Sequence, residues 1–280
     1  GTAPHVVDPG FPGAVDEIIN LGVYWNKPQL VKNRASIVNL THNISRCFER
    51  AYIRLQEGRL AMEEWMSYYQ EAKNVQALNR NIIALTADFM AKSSANTGTA
   101  RHLFASALTP LGIVHRAESL LEPDAAVFAV KGSPGSGKKE LFANVLNTIE
   151  LNGVKAEVYH NPADPDEIDV ILLPADKLAL VDISSTLVDY EAAIAGRKIK
   201  RLLDLDSLLN KEIIASYNNA IISAHERYNT AIRDAVSFIH AAKQLHDELE
   251  SYYTPAMDLA AIEQMRQELF IALREEIEQA

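Results

Sequence analysis

The sequence predicts an α/β fold in which a small, mainly parallel sheet carries long α-helical hairpins. Short β-rich runs alternate with helical segments between residues 101 and 190, and the stretches on either side repeat apolar residues at steps of three and four. Short, strongly apolar runs indicate buried strands, and a period near 3.6 indicates amphipathic helices. Hydrophobic residues make up 48% of the 280 positions, which is enough for a sizeable core.

The first helical region follows a segment that is rich in glycine and proline. Residues 1–28 are predicted to form loop, with a short helix near residues 14–21. From about Leu30 an apolar stripe predicts one long amphipathic helix. The stripe consists of Ile37, Leu40, Ile44, Phe48, Ala51, Leu55, Met62 and Trp65. A second helix is predicted at about residues 75–92, before a polar linker at residues 93–98.

The second helical region, residues 205–280, contains a nearly strict heptad stripe. Apolar residues step by three and four from Ile213 to Tyr252, and many of them are alanine. Pro255 suits the first turn of a further helix that ends near Ile277. Because small side chains permit close helix approach, the stripe is interpreted as the seam of an antiparallel helix pair within the chain. A docking surface for a partner helix is the alternative.

The two helical regions resemble each other, which predicts an internal repeat. The tripeptide SYY occurs at residues 67–69 and again at residues 251–253, an offset of 184 positions. In both places it closes a long helix that precedes a shorter one. HVVD, which ends at Asp8, also matches TLVD, which ends at Asp189. A chance similarity between helical hairpins is the alternative.

The repeat suggests a domain organisation. Residues 1–95 are interpreted as a second copy of residues 183–280, and an α/β segment equivalent to residues 101–182 is expected upstream of Gly1. The predicted domains are a helical hairpin extension of that upstream module at 1–98, an α/β core at 99–190 and a second helical hairpin extension at 191–280.

Charge and cysteine content exclude several classes of function. The net charge of −10 argues against broad binding to nucleic acid or anionic membranes, which needs clustered cations. The local exceptions are Lys131, Lys138 and Lys139, and the later segment GRKIKR. Cys47 is the single cysteine, so no internal disulfide can form and a cytoplasmic location is expected. No apolar run reaches the roughly 18 residues of a membrane span.

A phosphate-binding loop is predicted between an apolar strand and a helix. The segment KGSPGSGKK contains the pattern G-x-x-x-x-G-K, and an apolar run at residues 126–130 precedes it. Glycines allow backbone N–H groups to curl around an anion, and the start of the helix adds donors and a favourable dipole. ATP or ADP is the expected ligand. The residues expected to bind it are Gly132, Ser133, Pro134, Gly135, Ser136, Gly137, Lys138 and Lys139.

Position 139 departs from the Walker A pattern, which continues with Ser or Thr as a magnesium ligand. Lys139 removes that hydroxyl and adds a positive charge. Lys138 is expected to reach the terminal phosphates whether or not metal is bound. The sequence therefore predicts nucleotide binding with weakly held magnesium and slow hydrolysis, in which Lys138 and Asp182 are the catalytic residues.

Asp182 is the predicted magnesium ligand. It ends the apolar segment LALVD, and in nucleotide-binding proteins an acid at such a strand end holds magnesium, usually through water. Asp169, in the segment DVILL, is ranked lower because it begins its strand instead of ending it.

Three further polar residues follow the strand after the loop helix, where ligands bind in parallel sheets. They are His160, Asp164 and Asp166. The alternative, a turn capped by aspartate side chains before a short helix, is preferred. His5 is interpreted as a loop residue, with a role in the site of an upstream core as the alternative.

Six segments carry a resemblance to a known family. They are GTAPHVVDPGFPGAVDEIINLG, ISRCFERAY, RHLFASALTPLG, KGSPGSGKK, DPDEID and LALVD, and they lie between residues 1 and 182. The resemblance as a whole covers nearly the whole chain. The chain resembles bacterial tandem P-loop ATPases, in which two P-loop modules are fused and each carries a helical extension. The residues that match the loop of that family are Gly132, Gly135, Gly137 and Lys138. Lys139 and the segment ISST at residues 183–186 depart from the family pattern, which implies weak hydrolysis.

Three functions remain open on the sequence. The first is an ATP-binding module whose helical hairpins transmit the nucleotide state to a protein partner. The second is a small-molecule phosphotransferase, for which Asp164 and Asp166 are the candidate bases. The third is a non-catalytic scaffold in which the loop survives only as part of the fold.

Overall fold

The computed structural model describes residues 11, 13–14, 16–93 and 97–279. The chain forms two compact units. The core unit comprises Arg50–Ser237, and the helical unit comprises Gly1–Glu49 together with Phe238–Ala280. These limits fall within two long helices and not at the predicted domain limits near residues 98 and 190.

Nine helices and eight strands are present in the described ranges. The helices are α1 (Lys27–Lys32), α2 (Arg34–Glu71), α3 (Val75–Met90), α4 (Ala117–Leu120), α5 (Lys138–Leu151), α6 (Tyr190–Ala193), α7 (Lys211–Ser216), α8 (Asn218–Tyr253) and α9 (Leu259–Gln279). The strands are β1 (Ala100–Leu103), β2 (Ser106–Thr109), β3 (Gly112–His115), β4 (Ala126–Lys131), β5 (Ala156–His160), β6 (Ile168–Leu173), β7 (Leu178–Asp182) and β8 (Lys198–Asp204). Short 3₁₀ helices lie at Leu21–Tyr24, Pro174–Asp176, Leu205–Leu208 and Thr254–Ala256.

The main sheet of the core unit has six strands in the order β1-β5-β6-β7-β4-β8. β6 runs antiparallel to both of its neighbours, and the remaining pairs are parallel. The predicted α/β class with a mainly parallel sheet is therefore confirmed. The predicted sheet region ended at residue 190, but β8 adds an edge strand beyond it by pairing with β4. β2 and β3 form a separate antiparallel pair.

β4 is buried on both faces of the sheet, which accounts for its continuous apolar sequence. Phe128 and Val130 face a core formed with α3 and α5, whereas Val127 and Ala129 face a core formed with α4 and α6. The rings of Phe89 and Phe128 meet edge to face with centroids 5.4 Å apart. Packing on both sides fixes the end of β4 and, with it, the start of the loop that follows.

In the core unit, the end of α2 packs antiparallel against the start of α8. A Cβ atom added to Gly58 would lie 3.3 Å from the Cβ of Ala231. An ion pair of 2.6 Å joins Nη2 of Arg227 to Oε2 of Glu64 on the flank of the seam. The alanine stripe of α8 is therefore a buried seam within the chain, as predicted, but its partner in the core unit is α2 and not the next helix of a hairpin. The helix that follows α2, which is α3, packs on the sheet instead.

The predicted internal repeat is visible in the local structure at an offset of 184 positions. The first 3₁₀ helix and α1 correspond to the third 3₁₀ helix and α7. In the helical unit the N–H of Asn26 donates to the carbonyl of Ala256 at 2.7 Å. In the core unit the equivalent N–H of Asn210 donates to the carbonyl of Ala72 at 2.9 Å. Each unit thus joins the start of one long helical segment to the end of the other by the same hydrogen bond.

The prediction of a short helix near residues 14–21 is wrong for the described part of that segment. Residues 17–20 have no regular structure, and a single 3₁₀ turn begins at Leu21. The side chain of Asn20 caps this turn by accepting the N–H of Gly22 at 2.9 Å. A capping asparagine followed closely by glycine favours a turn over a continuous helix.

Candidate functional site

The glycine-rich loop, residues 132–137, lies between the end of β4 and the first residue of α5. Gly135 and Gly137 have φ angles of +82° and +120°, which residues with a Cβ atom rarely adopt. The first N–H groups of α5 have no partner inside the helix and form the positive end of its dipole. The start of α5 therefore presents backbone donors of the kind that bind an anion. Within the loop, the N–H groups of Gly132, Ser133 and Ser136 donate to Ser184, Asp206 and the carbonyl of Ser133. The loop contains the predicted residues Gly132, Ser133, Pro134, Gly135, Ser136 and Gly137.

Lys138 and Asp182, which the sequence assigns to one site, are in direct contact. Nζ of Lys138 lies 2.7 Å from Oδ2 of Asp182, and both side chains are largely buried. Lys138 begins α5, and Asp182 ends β7, which pairs with β4 in parallel. The contact therefore forms at the edge of the sheet where β4 and β7 end.

Ser184 is a site residue that the sequence analysis missed. Its Oγ accepts the N–H of Gly132 at 2.9 Å and a hydrogen bond from Nζ of Lys138 at 3.1 Å. Two acceptors for its own proton are within reach, the carbonyl of Gly132 at 2.9 Å and Oδ1 of Asp182 at 2.8 Å. Ser184 thus links the end of β7 to the start of the loop. The only sequence signal for this role is a hydroxyl two positions after the strand-ending acid.

Lys139 pairs with a carboxylate from the loop between β5 and β6. Its Nζ lies 3.4 Å from Oε1 of Glu167. Burial raises the pKa of Glu167, and the positive charge of Lys139 opposes that shift. An ammonium group thus occupies the position where a magnesium site needs a hydroxyl, and the nearest predicted ligand, Asp182, is already paired with Lys138. These donors fit phosphate oxygens better than they fit a magnesium ion.

Asp169 lies at the site, contrary to its low rank from the sequence. A residue that begins a parallel strand would lie at the opposite edge of the sheet, but β6 is antiparallel to β7, and its next residue, Val170, pairs with Val181. Asp169 is therefore beside Asp182. Burial, and then the nearby Asp182 carboxylate, raise the pKa of Asp169 to about 7. Nδ2 of Asn161 donates to Oδ1 of Asp169 at 3.3 Å.

The segment between β5 and β6 is a capped turn, as the sequence analysis preferred, but the short helix expected after it is wrong, because strand β6 follows directly. Oδ1 of Asp164 accepts the N–H of Asp166 at 3.1 Å. Asp164 also lines the cavity described below, whereas Asp166 lies 3.8 Å from Nη2 of Arg59. His160 is turned to the edge of the sheet, where its Nε2 lies 2.8 Å from Nδ1 of His102. His5 lies outside the described residues.

Two contacts from outside the loop hold it in place, and neither was predicted. The N–H and the hydroxyl of Ser133 donate to the two carboxylate oxygens of Asp206, at 2.8 and 3.0 Å. On the other side, the backbone of α2 lies directly against the loop, because a Cβ atom on Gly135 would come within 2.3 Å of the carbonyl oxygen of Met66. The loop is therefore in contact with α2 itself, one member of the seam.

A cavity of about 320 Å³ lies between the glycine-rich loop and the α2–α8 seam. Lys138, Lys139 and Asp182 line its floor. The helical wall combines the largely apolar side chains of Leu55, Met62, Met66, Tyr228 and Ile232 with the polar ones of Arg59, Glu63 and Gln70. Small-molecule sites in proteins span roughly 300–1,000 Å³ and combine apolar walls with a few polar groups. The cavity is therefore large enough for a small molecule, and its lining combines apolar side chains with the cations Arg59, Lys138 and Lys139 and with carboxylates that include Asp164, Asp169 and Asp182.

Comparisons of the chain with protein-family models, curated proteins and solved structures found no match. Across the part of the chain that the structure describes, none of the helices combines the length and the apolar character needed to cross a membrane.

Proposed function

We propose that the chain binds ATP or ADP through the glycine-rich loop, as a module of the P-loop ATPase class that its sequence resembles. One observation carries the proposal. The loop, the ammonium groups of Lys138 and Lys139 and the carboxylate of Asp182 all border one cavity at the edge of the sheet where β4 and β7 end. In open α/β sheets, ligands bind beyond the carboxyl ends of strands.

Phosphate recognition would use the chain's own donors. The N–H groups at the start of α5 and the ammonium of Lys138 supply charge-assisted hydrogen bonds, which are stronger than neutral ones. To contact a phosphate, Lys138 would exchange its present partner, Asp182, for the ligand. Lys139, at the position of the usual metal-binding hydroxyl, would add a second positive charge.

Magnesium is proposed to be held weakly, and hydrolysis is proposed to be slow. If magnesium were bound, Asp182 would be its ligand from the chain, and the ion would supply charge neutralisation at the phosphates. The hydroxyl ligand is missing at position 139, and the ammonium of Lys139 opposes a cation nearby. Binding is therefore expected to depend little on magnesium.

The seam gives the nucleotide a physical route to a protein partner. The carbonyl of Met66 is in contact range of Gly135, and Met62, Met66 and Ile232 form the cavity wall. A ligand that displaces the loop or fills the cavity must therefore press on α2 and α8. We propose that these helices carry the nucleotide state to a partner.

Calorimetric titration of ATP and ADP, with magnesium or with a chelator, tests the proposal. Lys138→Ala is expected to weaken binding by about 2–3 kcal/mol, on the order of 100-fold, because it removes charge-assisted hydrogen bonds to the phosphates. Lys131→Ala is the matched control, since Lys131 ends β4 but pairs with Asp204 at 3.1 Å and does not line the cavity. Lys139→Ser is expected to increase the dependence on magnesium.

The same titrations can refute the proposal. Binding only in the presence of magnesium would contradict the role assigned to Lys139. No binding under either condition would favour the scaffold function, in which the ion pair of Lys138 with Asp182 serves the fold alone.

A small-molecule phosphotransferase is the second candidate, and the cavity is the observation that favours it. Asp164 and Asp169 line the cavity together with apolar side chains from the seam, so an organic acceptor with a hydroxyl group has both a wall and hydrogen-bond acceptors. ADP release from ATP in the presence of small alcohols and sugars tests this function. A rate that no acceptor increases would argue against it.

A further inference from the structure

The helical unit contains the same elements that cover the sheet in the core unit, shifted by 184 positions. In the core unit these elements are β8, the 3₁₀ helix Leu205–Leu208 and α3, and α3 is in contact with that 3₁₀ helix. In the helical unit the equivalents are residues 14–20, the 3₁₀ helix Leu21–Tyr24 and α9, and α9 is likewise in contact with its 3₁₀ helix. The local arrangement is therefore repeated.

The side-chain hydrogen bonds that cap the two 3₁₀ helices also correspond. The side chain of Asp204 accepts the N–H of Asp206 at 3.1 Å, and the side chain of Asn20, its equivalent, accepts the N–H of Gly22 at 2.9 Å. The chain therefore enters the 3₁₀ helix in the same conformation in both places, since the cap residues Asn20 and Asp204 are both extended.

In the core unit the covering elements bury large apolar side chains against the sheet. Leu203 of β8, Leu205 of the 3₁₀ helix and Phe89 of α3 belong to one core with strand β4 and helix α5. Their exposed fractions are 8%, 0% and 0%. These residues form the cover of an α/β core.

In the helical unit the equivalent side chains are apolar but uncovered. Ile19, Leu21 and Leu273 correspond to Leu203, Leu205 and Phe89, and their exposed fractions are 41%, 44% and 49%. Phe270, one turn before Leu273 on α9, is 63% exposed. Single exposed apolar residues are common, but large ones at the repeat positions of a buried core are not explained by chance exposure. We call Ile19, Leu21, Phe270 and Leu273 the docking face.

We propose that the docking face binds an α/β module of the same kind as residues 97–182 of this chain. In the core unit, the covering elements pack on a strand edge and on an amphipathic helix. Such a module would present both surfaces: a strand whose open edge can pair in parallel with residues 17–20, and an amphipathic helix, like α5, that packs on α9. The apolar docking face and residues 17–20, which form no strand of their own, match these two surfaces.

A second copy of this chain does not meet the requirement. In the core unit of every copy, β8 already pairs with the edge of β4, and α3 already covers α5. The partner must therefore be an α/β module whose edge strand and helix are not covered by its own chain. The inference does not depend on nucleotide binding.

Fusing one additional copy of residues 97–182 to the N-terminus of the full chain tests the proposal, with amide hydrogen exchange as the measurement. This order reproduces the connection that precedes the covering elements of the core unit. Docking should slow exchange at residues 17–20 and along α9 by at least about tenfold, because those amides gain partners or lose solvent. The unfused chain is the reference.

The double variant Leu21→Asp with Leu273→Asp separates docking from other effects. In the unfused chain it should leave the melting temperature unchanged, since both side chains are already exposed, whereas Leu205→Asp at the equivalent core position should lower it strongly. In the fused chain the double variant should abolish the added protection.

Three results would overturn the proposal. The first is unchanged exchange at residues 17–20 and α9 after fusion. The second is added protection that survives the double variant. The third is a double variant that lowers the melting temperature of the unfused chain as much as Leu205→Asp, which would show that the docking face is already packed.

Discussion

The contact between α2 and the glycine-rich loop predicts a large effect of a very small substitution, Gly135→Ala. The added Cβ would lie 2.3 Å from the carbonyl oxygen of Met66, whereas ordinary contacts begin near 3.4 Å, so one of the two backbones must move by about 1 Å. Such overpacking costs roughly 1–3 kcal/mol. The φ angle of +82° adds roughly 1–2 kcal/mol for a residue with a Cβ atom. We expect a total loss of about 2–5 kcal/mol in the free energy of unfolding.

Gly153→Ala provides the matched control for this prediction. Gly153 also has a positive φ, +62°, but a Cβ atom there would meet nothing within 4 Å. It should lose only the conformational part, roughly 1–2 kcal/mol. Equilibrium urea denaturation measures both losses. If the two variants lose the same stability, Met66 does not press on the loop, and the proposed route from nucleotide to helices loses its basis.

Three further predictions concern the seam, the sheet edge and the cavity. Ala235→Glu places a carboxylate at a fully buried position on the seam face of α8. The free energy of unfolding should therefore fall by about 3 kcal/mol or more. An unchanged melting temperature would mean that this position is not buried in the seam. Burial and the neighbouring His102 lower the pKa of His160 in the folded chain. As the pH falls, His160 is therefore protonated in the unfolded chain before it is protonated in the folded chain. The free energy of unfolding should decrease as the pH drops below about 6.5. His160→Asn should reduce that fall in thermal melts across the same pH range, and an identical pH slope would contradict the assignment. If ATP binds as proposed, Arg59→Ala should weaken ATP binding about tenfold more than ADP binding, because Arg59 lines the cavity. Arg54→Ala, five residues earlier and outside the cavity, should leave both affinities unchanged. Equal weakening of ATP and ADP would remove Arg59 from the terminal phosphate.

The helices could be predicted closely because their signal is local. Apolar spacing placed α2, α8 and α9, and glycine followed by lysine placed the start of α5. The spacing did not predict the breaks at Asn33 and Tyr217, which separate α1 from α2 and α7 from α8. Which helices pair could not be predicted, because the fit of Gly58 under Ala231 joins positions far apart in the chain. β8 was missed for another reason. Its three basic residues, within the segment GRKIKR, interrupt the apolar pattern that indicates a buried strand. The apolar residues Ile199, Leu202 and Leu203 are nevertheless compatible with an edge strand.

The candidate site divides in the same way. The loop residues and Lys138 follow one another in the sequence, so their order was enough to predict that they lie together. Asp169 was ranked low because its position depends on the direction of β6, and no local pattern reports that an otherwise parallel sheet contains one reversed strand. Ser184 and Asp206 reach the loop from the ends of neighbouring strands, so their roles depend on the strand order.

The position of Ser184 has a consequence for how the site would respond to an incoming anion. A serine hydroxyl has one proton, and here two oxygens, the Gly132 carbonyl and the Asp182 carboxylate, compete for it. While Lys138 neutralises Asp182, the proton is free to point to the carbonyl. When the ammonium swings toward a phosphate, a rotation about one single bond turns the proton to the carboxylate that has been left behind. Oδ1 of Asp182 already accepts the N–H of Ser184 at 2.9 Å, so the hydroxyl adds a second donor when Lys138 leaves and lowers the desolvation cost of the buried charge. Ser184→Ala would remove this compensation while leaving both charged partners in place.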